Sequence, residues 1–423
     1  MFKPIRDPIW GDINLQDGVK KIIDTRSIQR LRHIRQEGFT FLSVPSANHT
    51  RFEHILGTFH LLHCWRESRE EITDLDQLAL LHHIDDTPFT YATREIIEMI
   101  QNETWKGDAE KRKQFIKGLI STEISDNNKR SELTDSIIKF GGRELEVNIL
   151  FAANNIDTIC RNAYYLGLGR PTVIDAITKI KPKKEDRITF DKNIFTSVIL
   201  EELKNEALTN IVAHISMSNS RMFARIVTRL LYFLYKDEIQ LDMPLNALLK
   251  DVVTDTEKFL EFNDDSLLYV LDKLKERGEV SKEINEYLDI YSGKIKYPQP
   301  PLEYDISNIH LNSDDYTNKK YDQMMFQNKI GNMNMEKQIN LERDIRDQYS
   351  LKHPVIIDIP YKSIKSRFLS CLALNYGEGS DIKLSPSDSI PESTKKIRIF
   401  LHKDDYNKIN KDKLFKLIKS KIE

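Results

Sequence analysis

The sequence is poor in cysteine, lacks any long apolar run and carries no excess of one charge, and each of these absences removes a class of protein. Only three cysteines occur among 423 residues, Cys64, Cys160 and Cys371, and none stands in a CxxC pair. A disulfide framework and a zinc ribbon are therefore excluded, and the usage suits a reducing cytoplasm. No run approaches the ~18 apolar residues of a membrane span, and the first residues carry no apolar signal core, so the expected setting is cytoplasmic, without membrane. Lys plus Arg number 63 and Asp plus Glu 65. With no global field, nucleic acid is a poor candidate partner and any polyanion site must be local. There is also no P-loop, no GxGxxG and no internal repeat.

What is present is helical periodicity. From Phe52 onward Phe52, Ile55, Leu56, Phe59 and Leu62 form one core stripe, while His54, Gly57, Leu61 and Trp65 lie opposite, so this helix is buried on both sides. A second helix, Thr73 to Ile84, opens with a capping pattern and becomes apolar all round. Further helices are expected over 92–145, Glu146 to Leu168 and Ala207 to Tyr235. Strand-like runs follow at Val355–Ile359, Phe368–Leu374 and Lys396–Leu401, with a closing helix from Asp404 to Ile422. The expected fold is mainly α, with a helical body over 1–290, a linker or exposed excursion over 291–350 and a small α+β domain over 351–423.

The chemistry concentrates in two places. On the first buried helix His54 stands off the core stripe, on the opposite internal face. About thirty residues later His82 and His83 end the second, followed by Asp85 and Asp86. This spacing can converge on one metal ion. On a continuing helix His82 and Asp86, or His83 and Asp86, would share a face. A cluster of Arg26, Arg30, Arg32 and Arg35 reads either as a solvated helix face or as a phosphate-facing patch.

Asp24 to Gln36, His49 to Gly57, Leu80 to Phe89 and Arg161 to Gly167 together make the sequence resemble the HD-domain deoxynucleoside triphosphate triphosphohydrolases, the dGTPase-like family. The resemblance implies a divalent metal (Mn, Fe, Ni, Co or Zn), a nucleotide or deoxynucleotide ligand and a homo-oligomer, dimer or larger. It assigns His54 and His82 as metal ligands, but the aspartate of the His-Asp pair is His83 here and the distant aspartate falls at Asn154. Asp86 or Asp157, one helical turn from Asn154, would be the substitutes that restore a carboxylate. Gln36, Arg51 and Lys204 match substrate-contacting positions. Asp86 itself stands where the family has a histidine that works near the phosphate, which makes it a doubtful catalytic residue, and a second such histidine is Tyr91. Glu37, Thr158 and Asn162 replace a leucine, a tyrosine and an aspartate.

Two functions follow from this pattern. The first is a nucleotide-binding protein of this lineage whose triphosphohydrolase activity is lost or strongly weakened, serving as a regulatory or partner subunit. The alternative is an active metal-dependent nucleotide phosphohydrolase with a rebuilt site.

Overall fold

The structure is a computed structural model; the residues described are 4–65, 73–105, 109–120, 124, 126–138, 145–171, 174–179, 183–184, 188–191, 218–236, 239, 245–275, 280–297, 301–305, 333–359, 373–376, 381–385 and 396–422. The fold is mainly α, with small sheets. The chain forms two compact units. The first comprises Met1–Ser216, Lys250–Leu267 and Arg367–Ser389; the second comprises Met217–Leu249, Leu268–Ser366 and Ile390–Glu423. These units do not coincide with the three successive segments read from composition. The strand Asp381–Ser385 pairs with Ala373–Tyr376 on one side and with Ile188–Asp191 on the other, so part of the C-terminal stretch joins the first unit. Pairing between strands so distant in sequence leaves no local periodic trace.

The first unit opens with a hairpin, β1 (Ile5–Asp7) and β2 (Gly11–Ile13), whose turn is held by Asp7 accepting the N–H groups of Ile9 and Trp10. Helices α1 (Asp17–Ile23) and α2 (Arg26–Arg30) follow, separated at Thr25, whose hydroxyl donates back to the Ile22 carbonyl. Gly38–Leu42 is a 3-10 turn. Then come α3 (Arg51–Trp65), α4 (Asp74–Leu81), α5 (Tyr91–Trp105), α6 (Ala109–Leu119), α7 (Asn127–Ile138) and α8 (Leu145–Ala163). Helix α3 is buried on both faces, as its sequence requires, and packs against α4 and α8.

Helix α4 starts at a complete capping box, with Thr73 and Asp76 each satisfying the other's backbone N–H. It stops at Leu81, three residues short of the expected end, because His82 caps it and turns follow through Asp86. His82 and Asp86 therefore do not share a helical face. The arginine cluster divides, with Arg26 and Arg32 exposed and Arg30 and Arg35 turned to internal partners. Arg30 is buried and donates to the carbonyls of Phe262 and Asp86, Arg35 pairs with Asp264, and Arg26 pairs with Glu257 at the surface.

The second unit is built around the helix Ser218–Tyr235 and an antiparallel sheet in which Lys396–Phe400 runs between Leu302–Asp305 and Ile356–Asp358. Leu341, Ile345, Ile357, Ile397, Ile399 and Leu414 are buried in its core. Within the stretch read as a linker, Met335–Gln348 is a helix capped by Asn334, and 306–332 lies outside the described residues. Its stripe of Met335, Ile339 and Ile345 is diluted by charged neighbours, which hid the period. The expected closing helix is two, Lys403–Tyr406 and Lys411–Ile422. Two ionic hubs sit inside this unit. Arg229 meets Glu342 at 2.8 Å with both side chains buried, and Asp358 accepts from Arg221, Arg225 and Arg398. Burial opposes ionisation of Asp358, but the three guanidiniums outweigh it and hold its pKa well below the ordinary carboxylate range.

Candidate metal centre

Helix α3, the turn after α4 and helix α8 bring four side chains to one point. The Asn154 Oδ1 atom lies 2.7 Å from His54 Nε2, 3.0 Å from His82 Nε2 and 3.4 Å from His83 Nε2. His54 and His82 are buried and His83 is nearly so. The three imidazoles form a group whose ligand atoms all lie within 4.8 Å of one another.

The outer nitrogens decide what the inner ones offer. His54 Nδ1 is 2.6 Å from Asp157 Oδ2, His82 Nδ1 is 2.8 Å from the Ala79 carbonyl, and His83 Nδ1 is 2.9 Å from Asp86 Oδ2. All three partners are acceptors, so each Nδ1 carries the proton and each Nε2 presents a lone pair inward. Three lone pairs therefore face an amide oxygen with no proton among them. Turning the Asn154 amide over would supply two donors for three acceptors, still one short. The set fits a divalent cation, and its neutral nitrogens favour Zn, Co, Ni or Fe over Mg. Burial and the neighbouring His54 lower the pKa of His82 to about 4, and burial with His82 lowers that of His83, which keeps both rings neutral.

The two proposed substitute carboxylates stand behind the imidazoles. Asp157 holds the far nitrogen of His54 and is itself held by Arg161 Nε at 3.0 Å, Arg161 Nη2 at 2.8 Å and Trp10 Nε1 at 2.6 Å. Burial disfavours its charge, but Arg161 and His54 win and its pKa falls to about 2. Arg161 reaches on to Asp7 at 3.0 Å, which ties the hairpin turn to the centre. Gly57 makes this approach feasible: a Cβ there would stand 1.8 Å from Asp157 Oδ1 and 2.6 Å from Trp10 Nε1. Trp10 and Asp7 were missed from sequence because they reach the centre only through the folded hairpin; the His54-to-Gly57 spacing was the available clue.

Asp86 does the corresponding work for His83 and also faces Arg51 Nε at 2.8 Å and Arg94 Nη2 at 2.6 Å. All three charged side chains are largely buried. Although burial opposes it, His83, Arg51 and Arg94 keep Asp86 ionised. Arg94 was not anticipated, since only the start of α5 carries it alongside. Gln36 is buried, donates to Thr158 Oγ1 at 3.3 Å and leaves its Oε1 without a hydrogen-bond partner. Two departures from the family pattern meet each other: Asn162 Nδ2 donates to Glu37 Oε1 at 3.1 Å. Lys204 lies outside the described residues.

No family model matches the chain. Over 186 residues it is 34% identical to an uncharacterised protein of Methanocaldococcus jannaschii, covering 42% of this chain and 38% of that one. Over 210 residues it is 30% identical to the deoxynucleoside triphosphate triphosphohydrolase SAMHD1 of Gallus gallus, covering 45% of this chain and 32% of that one. The chain is thus similar to this deoxynucleoside triphosphate triphosphohydrolase over less than half of its length. It matches well under half the length of these curated relatives. The fold is similar to that of a phosphohydrolase from Bacteroides thetaiotaomicron, with TM-score 0.57 and 16% identity, covering 95% of this chain and 100% of that one. Among the described residues, no helix is long and apolar enough to cross a membrane.

Proposed function

We propose that this HD-domain protein binds a divalent metal and a nucleotide but has lost, or retains only weakly, triphosphohydrolase activity, and that it acts as a regulatory or partner subunit. The observation that carries this reading is the Asp86 carboxylate, set among Arg51, Arg94 and His83. It occupies with an internal anion the cations that a phosphate would need. A phosphate charge brought within ~4 Å of it meets repulsion of about 4 kcal/mol at an effective dielectric of about 20, roughly a thousandfold in affinity. Gln36, with its buried Oε1 lacking a partner, remains available for a sugar hydroxyl.

The three braced imidazoles favour a second reading, an active metal-dependent nucleotide phosphohydrolase. His54, His82, His83 and the Asn154 oxygen would hold the ion, which when bound supplies Lewis acidity for a phosphoryl group. Asp157, the Ala79 carbonyl and Asp86 keep the imidazole protons on the outer nitrogens, while Arg51 and Arg94 supply positive charge beside the site. On either reading the resemblance carries a homo-oligomer, dimer or larger, which sedimentation measures.

The test is metal content by elemental analysis of protein purified without chelator, followed by a deoxynucleotide hydrolysis panel with Mn, Mg, Co, Ni and Fe. A drop of about one metal ion per chain in His82→Ala, with nucleotides raising the melting temperature and no turnover, supports the first reading. Phosphate or triphosphate release that disappears in His82→Ala overturns it in favour of the second.

A further inference from the structure

A separate group of ligand-type side chains lies in the second unit. His353, His402 and Asp404 offer ligand atoms that all fall within 4.8 Å of one another. The His353 and His402 rings are 3.8 Å apart between centroids, and Asp404 Oδ2 lies 3.9 Å from His353 Nε2 and 3.6 Å from His402 Nδ1. His353 Nε2 is buried and has no hydrogen-bond partner. His402 Nδ1 accepts the backbone N–H of Asp404 at 3.3 Å, so it carries a lone pair rather than a proton, and a metal bound there would displace that long hydrogen bond. Two imidazoles and a carboxylate thus meet around a gap, with a buried nitrogen left unused.

From this geometry we infer that His353, His402 and Asp404 form a second divalent-metal site, of a zinc-like class, with a structural role. Ligands on a tetrahedral zinc stand about 3.3 Å apart, given bonds of about 2.0–2.1 Å. The observed separations are within reach of small side-chain rotations. Asp404 is half exposed, which leaves a coordination position open to water.

The surroundings hold the ligands in place without a metal. Asp405 accepts the N–H groups of Lys352 and His353 at 3.0 and 2.9 Å, fastening the His353 loop to the helix that carries Asp404. Tyr297 sets its ring edge-on to His402 and donates to the Pro354 carbonyl at 2.6 Å. The position in the sheet says what the site would do. His353 precedes the strand Ile356–Asp358 and His402 follows Lys396–Phe400, and these strands pair antiparallel with Ile356 opposite Phe400. A metal bound here clips the open end of that strand pair, one imidazole from each side. The two groups belong to different units and share no ligand.

The experiment compares the full chain with His402→Asn and His353→Gln after chelator treatment, titrating Zn(II) by calorimetry and measuring bound metal by elemental analysis. Asn preserves a capping side chain for the short helix, and matched circular dichroism establishes folding. The expected result is one fewer zinc per chain in each variant than in the unchanged protein, whatever the first centre contributes. The zinc-induced rise in melting temperature shrinks correspondingly. In a His54→Ala, His82→Ala background one zinc remains, and it is lost on adding His402→Asn. Equal stoichiometry in the unchanged protein and both variants, or no zinc in the His54→Ala, His82→Ala background, overturns the inference.

Discussion

Gly57→Ala tests the construction of the metal centre by a single methyl group. On geometric grounds alone the added Cβ would lie 1.8 Å from Asp157 Oδ1 and 2.6 Å from Trp10 Nε1, so both side chains must move. Neither has free space: Asp157 is clamped by Arg161, and Trp10 is 6% exposed. Alanine in a helix interior gains about 1 kcal/mol over glycine, whereas overpacking of this kind costs about 1–3 kcal/mol. Displacing Asp157 from a fully buried Arg161 adds to that cost. A net loss of about 1–3 kcal/mol is expected in chemical denaturation, against the usual stabilising direction of Gly→Ala. The second effect is on the metal. Moving Asp157 releases His54 Nδ1, and loss of such an outer hydrogen bond weakens metal binding about 10–100-fold. Calorimetric titration with Zn(II) or Co(II) reads this directly. If Gly57→Ala is as stable as the parent and binds metal equally well, the account of Asp157 as the brace behind His54 is wrong.

Other expectations follow from the same contacts. Asp86→Asn removes the internal anion while keeping a hydrogen-bonding side chain beside His83, so inorganic triphosphate, followed by calorimetry, should bind at least tenfold more tightly; unchanged or weaker binding would count against Asp86 as the obstacle. Asn162→Asp sets a second carboxylate against Glu37 across a 3.1 Å contact and should destabilise by about 1–3 kcal/mol, most of it recovered when Glu37→Leu is added. A double-mutant cycle with no coupling would refute that pairing. Asp358 has its folded pKa depressed below the ordinary 3.8, so its stabilisation is present above about pH 4 and is lost as pH falls below that value. Acid denaturation followed by circular dichroism should therefore steepen below pH 4, and Asp358→Asn, less stable at neutral pH, should flatten that slope.

Much of the first unit was legible because helices announce themselves over a few turns. The two-sided apolar pattern of Phe52 to Trp65 required a helix buried on both faces, and Thr73 with Asp76 marked the start of the next. Since a buried helix must pack on both sides, His54 had to face an internal surface, and the spacing to His82 and His83 suggested where. What could not be read was anything that depends on which atoms of distant residues meet. Asp157 and Asp86 were equally plausible as ligands on spacing alone; the fold turns both toward the outer nitrogens, because α4 ends at Leu81 and because Asp157 lies one turn beyond Asn154, on Arg161 and Trp10. The pairing of Glu37 with Asn162 joins positions 125 apart in sequence, and that of Ile188–Asp191 with Asp381–Ser385 crosses most of the chain. The sequence by itself determined the helices, the capping and the residues with ligand chemistry, since these are set by side chains within one or two turns. Only the tertiary structure decided which nitrogen carries each proton, which carboxylate stands behind which imidazole and where Asp86 spends its charge. Those depend on packing between elements that the chain brings together only on folding.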